Sequence, residues 1–199
     1  TMTLGDANTA LTLSADVVLN TAGGAMNING AVNATTADTE SLSLNAGSAG
    51  AISVTADVGQ TKALKTLTLV NSNGATFSNP VTTATSVVLS DTTDTRVIRF
   101  AGNLTTPTLT TTTEPYALEL IGSTTSVTNA TTFLNTGALT LGDAATDQLT
   151  FAGGLVATAP SSISLAGTVG TTNTTMTLGD ANTALTLSAD VVLNTAGGA

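Results

Sequence analysis

The feature that most constrains this chain is a perfect internal repeat. Residues Thr1 to Ala25 read TMTLGDANTALTLSADVVLNTAGGA, and residues Thr175 to Ala199 read the same 25 letters, at an offset of 174 residues. Folding alone does not preserve such identity, because core positions tolerate conservative exchange. We therefore interpret residues 1–174 as one complete repeat and residues 175–199 as the start of the next, within a longer chain made by tandem duplication. We expect neither end to be a natural terminus.

A shorter motif recurs inside the long repeat. It consists of alternating apolar residues followed by Gly, Asn, Asp or Ser, as in MTLGD, MNING, SLSLNAG, TLTLVNSNG, VVLSD, ALELIG, ALTLGD and SISLAG. With the second apolar residue as the marker, the steps from Leu44 to Leu178 range from 13 to 31 residues, and eight steps span the 174-residue period. Repeats of this length are typical of solenoids, in which short coils stack on one another.

Pairs of apolar residues at a spacing of two predict short strands. In each pair both side chains project to the same face, and the residue between them, commonly Thr or Ser, suits a solvated face. Examples are Leu11 with Leu13, Ile52 with Val54, Ala75 with Phe77, Ile98 with Phe100, and Leu149 with Phe151. No window shows a sustained helical period, so we expect an all-β fold. The segment Leu104–Pro115, LTTPTLTTTTEP, is the least regular, and we predict a bulged corner or exposed loop there.

These patterns predict a parallel β-helix, or β-solenoid, with about eight irregular coils per 174-residue repeat. A coil of this length cannot bury its apolar residues alone, whereas stacked coils form a continuous core beneath parallel ladders. The alternative is a string of immunoglobulin-like β-sandwiches, two per period. That alternative requires similarity at about 87 residues, half the period, and the sequence has none; it also has no Trp of the kind that such cores use.

The composition argues against an enzyme. The chain has no His and no Cys, which removes the imidazole base, the thiol nucleophile, the zinc knot and the disulfide. Forty-five residues are Thr and only 9% are charged. Because some polysaccharide-active enzymes are β-helices that use paired carboxylates, we considered three acidic pairs. They are Asp91 with Asp94, Asp143 with Asp147, and Asp38 with Glu40, and each lies in a turn-like stretch where Asp commonly caps its own backbone. We predict no catalytic residues.

The charge pattern restricts the partners. A formal net charge of −9 with only four cations argues against nucleic acid and against an anionic membrane surface, and no apolar run approaches the length of a membrane span. The cations Lys62, Lys65, Arg96 and Arg99 lie in one stretch of the sequence near several Asp residues. They are candidates for a lateral contact with a neighbouring fibre, although a solvated surface cluster is the more common arrangement. The expected partners are thus neighbouring repeats of the same chain and laterally associated copies.

Two binding functions remain open. Asp6, Asp143 and Asp180 each follow a Gly after an apolar pair, so calcium is a weak candidate ligand, although the GGxGxD nonapeptide of calcium-binding β-rolls is missing. We expect no other cofactor. The abundance of Thr also suggests an ice-binding face, since TxT spacing occurs at Thr1/Thr3 and Thr66/Thr68. Asn27, Ser43 and Glu119 at corresponding places would interrupt a flat Thr lattice.

The phrases ALTLGDAATDQLTFAGG, TLTLVNSNGATF and SLSLNAGSAGAISV resemble the β-strand repeats of giant bacterial surface proteins. These include filamentous-haemagglutinin-like exoproteins and autotransporter-type adhesins, and the resemblance covers essentially the whole chain. It implies a right-handed parallel β-helix, secretion to the cell surface, and a role as a fibre or stalk in adhesion or cell contact. The coil steps here are less uniform than the haemagglutinin repeats.

Overall fold

The computed structural model describes residues 1–198, in which every regular element is a β-strand. In chain order the strands are β1 Met2–Leu4, β2 Leu11–Leu13, β3 Val17–Asn20, β4 Met26–Ile28, β5 Val32–Ala34, β6 Leu42–Asn45, β7 Ile52–Val54, β8 Leu64–Asn71, β9 Ala75–Phe77, β10 Val81–Leu89, β11 Val97–Phe100, β12 Leu104–Thr106, β13 Thr108–Thr111, β14 Ala117–Leu120, β15 Thr124–Val127, β16 Thr131–Thr132, β17 Leu139–Leu141, β18 Gln148–Phe151, β19 Leu155–Ala157, β20 Ser162–Gly170, β21 Met176–Leu178 and β22 Ala184–Asn194.

The strands stack as three parallel ladders, which we name A, B and C. Ladder A runs through β1, β4, β7, β9, β11, β14, β17 and the first halves of β20 and β22. Ladder B runs through β2, β5, Val58, the start of β10, β12, β15, β18 and the second halves of β20 and β22. Ladder C runs through β3, β6, β8, the end of β10 and β13, and continues at the next levels with β16, β19 and β21, which form a separate sheet.

This arrangement confirms the predicted parallel β-solenoid of about eight turns per repeat. Each coil contributes one strand position to each ladder, and the chain then returns to ladder A one level higher. The strand pairings of the described residues are parallel, apart from an isolated bridge between Asp6 and Thr9. Tandem sandwiches are excluded, because immunoglobulin-like domains are built from antiparallel sheets.

The core is a set of columns formed by the inward residue of each strand. In ladder A, one column stacks Ile28, Val54, Phe77, Phe100 and Leu120 in register, all of them buried. The rings of Phe77 and Phe100 stack with centroids 4.7 Å apart. The predicted apolar pairs therefore do point to a common face, because strand geometry sends alternate residues inward.

The segment Leu104–Pro115 is not the exposed loop that its composition suggested. It contains β12 and β13, and Leu104, Leu109, Thr106 and Thr111 are all buried. Buried Thr is tolerated because its hydroxyl finds partners inside: Thr106 Oγ1 accepts a hydrogen bond from Thr83 Oγ1 (2.7 Å) and donates one to the Thr108 carbonyl (2.9 Å). The prediction was wrong because it treated Thr as an outward residue and so missed these two strands.

Side-chain hydrogen bonds bridge β13 and β16, which belong to different sheets. The Thr111 hydroxyl accepts a hydrogen bond from the Leu134 amide at 2.7 Å. The buried Tyr116 hydroxyl donates to the Leu89 carbonyl at 3.1 Å and accepts from the Thr112 amide at 3.3 Å. Burial raises the pKa of the Tyr116 phenol, because the phenolate would be poorly solvated. The coil that contains β12 and β13 is thus joined to the coils on both sides by side-chain hydrogen bonds.

The 174-residue period spans seven coils and two further ladder positions. It starts at β1 on ladder A and the equivalent strand, β21, lies on ladder C seven levels higher. The spacing of the short sequence motif did not reveal this number of coils, because its steps cover unequal numbers of ladder positions. The 31-residue step from Leu89 to Leu120 covers one coil plus one ladder position, and the 13-residue step from Leu165 to Leu178 covers only part of a coil.

Candidate functional site

The two copies of the repeated 25-residue segment lie on different ladders. β1 begins ladder A, whereas its copy β21 ends ladder C. β2 begins ladder B, whereas the copies of its residues, Leu185–Leu187 in β22, end ladder A. β3 begins ladder C, whereas the copies of its residues, Val191–Asn194, end ladder B. Each ladder therefore ends on the sequence that begins another ladder.

The second copy forms an open end of the solenoid. In the first copy, Leu11 and Leu13 pair in register with Val32 and Ala34 of the next coil, and Leu13 is only 6% exposed. In the second copy, Leu185 and Leu187 pair with Ile163 and Leu165 of the coil before, and they are 47% and 61% exposed. An inward-pointing leucine with this exposure lacks its covering coil, so the end of β22 is an apolar stacking surface.

The four candidate cations do not form one patch. Lys62 and Lys65 lie at the corner between ladders B and C, where the Lys62 Nζ donates to the Thr35 carbonyl at 2.5 Å. Arg96 lies at the corner between ladders C and A, and Arg99 points outward from ladder A. These residues are close in sequence but not in space, because residues 62–99 cover more than one coil. A single lateral contact through all four is therefore not available on one side.

Arg99 is already paired within the chain. Its guanidinium forms an ion pair and hydrogen bond with the Glu119 carboxylate on the next strand of ladder A, with the two side chains 45% and 22% exposed. Glu119 is the main cause of a raised Arg99 pKa. Beside this pair, Arg96, Thr76 and Ser53 line a surface groove of about 420 Å³. An exposed pair of this kind contributes little to stability, roughly 0–1 kcal/mol, but it fixes the Arg99 head over the ladder.

The three calcium candidates lie far apart. Asp6 and Asp143 share the corner between ladders A and B, but six coils separate them, which is roughly 29 Å at the spacing of parallel strands. Asp180 lies at a different corner, between ladders C and A. The acidic turns therefore do not stack, and residues 1–198 contain no group of three or more His, Cys, Asp or Glu side chains that could hold a metal ion.

Two of the candidate carboxylates, Asp147 and Glu40, act as turn caps. The buried Asp147 Oδ2 accepts hydrogen bonds from the amides of Asp143 (2.9 Å) and Ala144 (3.0 Å). Partial desolvation, followed by the neighbouring Asp147 charge, raises the pKa of the exposed Asp143 carboxyl. Glu40 Oε2 likewise accepts from the amide of Thr35 (3.1 Å) and from the hydroxyl of Thr39 (2.6 Å).

Asp38 Oδ1 accepts from the hydroxyl of Thr85 at 2.9 Å. Asp91 and Asp94 lie in the turn between β10 and β11. The contacts of Asp147, Glu40 and Asp38 explain why carboxylates occupy those three positions.

The outward Thr residues form interrupted rows. On ladder C, Thr66 and Thr68 of β8 are separated from Thr108 and Thr110 of β13 by Ser86 and Val88 of β10. On ladder A the outward positions change from Asn to Ser, Thr, Arg and Glu from one level to the next. A flat ice-binding lattice needs the same residue at successive levels, and these rows do not favour it.

Within residues 1–198, no helix of the length and hydrophobicity needed to cross a membrane is found. Comparison of the chain with protein-family models, with curated proteins and with solved structures found no match.

Proposed function

We propose that this chain is a structural segment of a long extracellular fibre or adhesin stalk, made of tandem 174-residue repeats, that serves cell-surface attachment or contact between cells. The observation that carries the proposal is the junction between repeats. β22, which belongs to the second copy, pairs with β20 of the first repeat at eight positions on two ladders. The second repeat thus begins as a further coil of the same solenoid.

A rod of this kind resists bending because its core is continuous and backbone hydrogen bonds join its successive coils. Ladder A alone connects nine levels in register. With parallel strands about 4.8 Å apart, seven and two-thirds turns lengthen the rod by about 37 Å per repeat. Duplication of the gene segment would therefore set the reach of the stalk in fixed steps.

The charge distribution supports an extended, soluble rod. Residues 1–174 contain eleven acidic and four basic residues, a formal charge of −7 per repeat. Like charge along each rod opposes side-by-side collapse. The resemblance to the repeats of bacterial surface proteins supports the extracellular location and the adhesive role, and a core that needs no disulfide is independent of the redox state outside the cell.

The proposal is tested on the cell that makes the protein. An antibody against the repeat should label intact cells without permeabilisation. Removal of four repeats from the gene should bring the distal end closer to the cell envelope by about 150 Å, measured by immunogold electron microscopy, and should weaken attachment. Restoring the four repeats is the matched control. Labelling that requires permeabilisation, or a reach that is independent of repeat number, would contradict the proposal.

A further inference from the structure

We infer that each 174-residue repeat is rotated by one ladder, roughly a third of a turn, relative to the repeat before it. As a result, every surface patch is presented on all three sides of the fibre in turn. The inference rests on the proposed function only in requiring that further repeats follow.

The rotation follows from the order of strands along each ladder. Ladder A starts on Met2–Leu4 and, after eight parallel pairings, reaches Leu185–Leu187, the copies of Leu11–Leu13. Ladder B starts on Leu11–Leu13 and reaches Val191–Asn194, the copies of Val17–Asn20. Ladder C starts on Val17–Asn20 and reaches Met176–Leu178, the copies of Met2–Leu4. One repeat therefore moves a given segment from ladder A to ladder C, from ladder B to ladder A, or from ladder C to ladder B.

A rotation of one ladder per repeat returns each segment to its original ladder after three repeats. Because the sequence of each repeat is the same, the local pairings are the same, and each further repeat adds the same seven and two-thirds turns. Three repeats make 23 whole turns over 522 residues, about 110 Å of rod at the spacing of parallel strands. Only then does a given side chain return to the same side.

This geometry determines which partners the surface fits. The groove beside Arg96 and Arg99 lies at the ladder A side in the first repeat and turns to another side in each of the next two. A partner can therefore find one copy of the groove from any direction within three repeats. A second fibre lying alongside meets the same patch on the same side only about every 110 Å. The surface fits partners that surround the rod and does not fit sheet-like packing of fibres through one patch per repeat.

Cysteine pairs in the 199-residue chain test the rotation directly, since the chain has no native Cys. Outward residues on adjacent ladder strands lie within the Cα separation that a disulfide spans, about 4.4–6.8 Å. The rotated junction places Ser164 beside Thr186 and Val156 beside Thr177. An unrotated junction would instead place Ser164 beside Thr177, the copy of Thr3.

The expected result is disulfide formation on mild oxidation in Ser164→Cys/Thr186→Cys and in Val156→Cys/Thr177→Cys, and none in Ser164→Cys/Thr177→Cys. All three variants change outward side chains, and far-ultraviolet circular dichroism checks that each is folded. Formation of the third disulfide in preference to the first overturns the inference. So does failure of both predicted disulfides in folded protein.

A chain of four repeats, labelled at Thr76→Cys in every repeat, shows the same property by electron microscopy. The labels should occupy three sides of the rod, and labels in a single row would overturn the rotation. If the rotation holds in the 199-residue chain but longer chains do not form rods, the proposed function fails and the junction geometry stands. If rods form with the labels in one row, the proposed function stands and the rotation is overturned.

Discussion

In the first copy of the repeated segment, residues 1–24, Leu13 lies beneath β5 and is 6% exposed. In the second copy, residues 175–198, the same leucine is Leu187, which lies above β20 with nothing over it and is 61% exposed. The two copies also lie on different ladders. Since the sequence is the same, the difference comes entirely from the coils before and after it.

Other properties are the same in both copies. Asp6 Oδ1 accepts from the Asn8 amide at 2.9 Å, and Asp180 Oδ1 accepts from the Asn182 amide at 2.8 Å. Ala22 and Ala196 both adopt φ of 50° in the turn that follows the last strand. Turn geometry is therefore local, burial depends on the neighbouring coil, and the ladder depends on how many strand positions precede the segment.

The largest expected difference concerns the equivalent leucines. Leu13→Ala leaves a cavity under β5, so we expect it to lower the free energy of local opening by about 3 kcal/mol. Leu187→Ala removes an exposed side chain, and we expect less than about 1 kcal/mol. Native-state hydrogen exchange of the amides in β2 and β22 measures both values. Appending residues 26–48 after Ala199 should raise the effect of Leu187→Ala toward that of Leu13→Ala, and no such rise would contradict the account.

A smaller difference is expected for the equivalent glycines. Gly5 and Gly179 both adopt positive φ, 67° and 76°, so replacement by Ala strains each backbone by about 1 kcal/mol. A Cβ on Gly5 would also lie 2.9 Å from the Gly30 Cα of the next coil and 2.8 Å from the Thr9 carbonyl. The nearest atom to a Cβ on Gly179 is the Thr183 Cβ, 3.2 Å away, and no atom of another coil is among the three nearest.

We therefore expect Gly5→Ala to destabilise its coil by about 2 kcal/mol or more, and Gly179→Ala by about half of that. Hydrogen exchange of the amides in the flanking strands gives the comparison. Equal effects would show that the neighbouring coil does not constrain this turn.

The smallest effects concern the Gly-Asp turns. Hydrogen bonds from the Asn8 and Asn182 amides lower the pKa of Asp6 and Asp180. Each carboxylate therefore contributes stability that is fully present above the ordinary Asp pKa, about 3.9. This stability is lost as pH falls through the lowered pKa. Partial desolvation and the Asp147 charge raise the pKa of Asp143, so its contribution to stability has the opposite sign and is lost as pH rises through the raised pKa. NMR titration should give coincident curves for Asp6 and Asp180, below that of Asp143. Separate curves for the first two would show that these turns are not local.

The same distinction explains how much the sequence alone could predict. Strand positions and their inward residues follow from local alternation, so pairs such as Ile52 with Val54 were predicted correctly. Buried Thr in β12 and β13 could not be recognised, because its partners lie on other coils. The placement of the acidic turns and cations around the solenoid could not be predicted, for a cumulative reason. Each missed strand shifts the count by one ladder position, and that count decides the side on which Asp180 or Arg96 lies.

The central claim is that successive repeats continue one solenoid. The most direct measurement is the length of purified chains containing one, two and four repeats, by small-angle X-ray scattering and negative-stain electron microscopy. The account predicts unbranched rods of constant cross-section that lengthen by about 37 Å for each repeat. Particles that resemble beads on flexible linkers, or a maximum dimension that does not grow in proportion to repeat number, would contradict it.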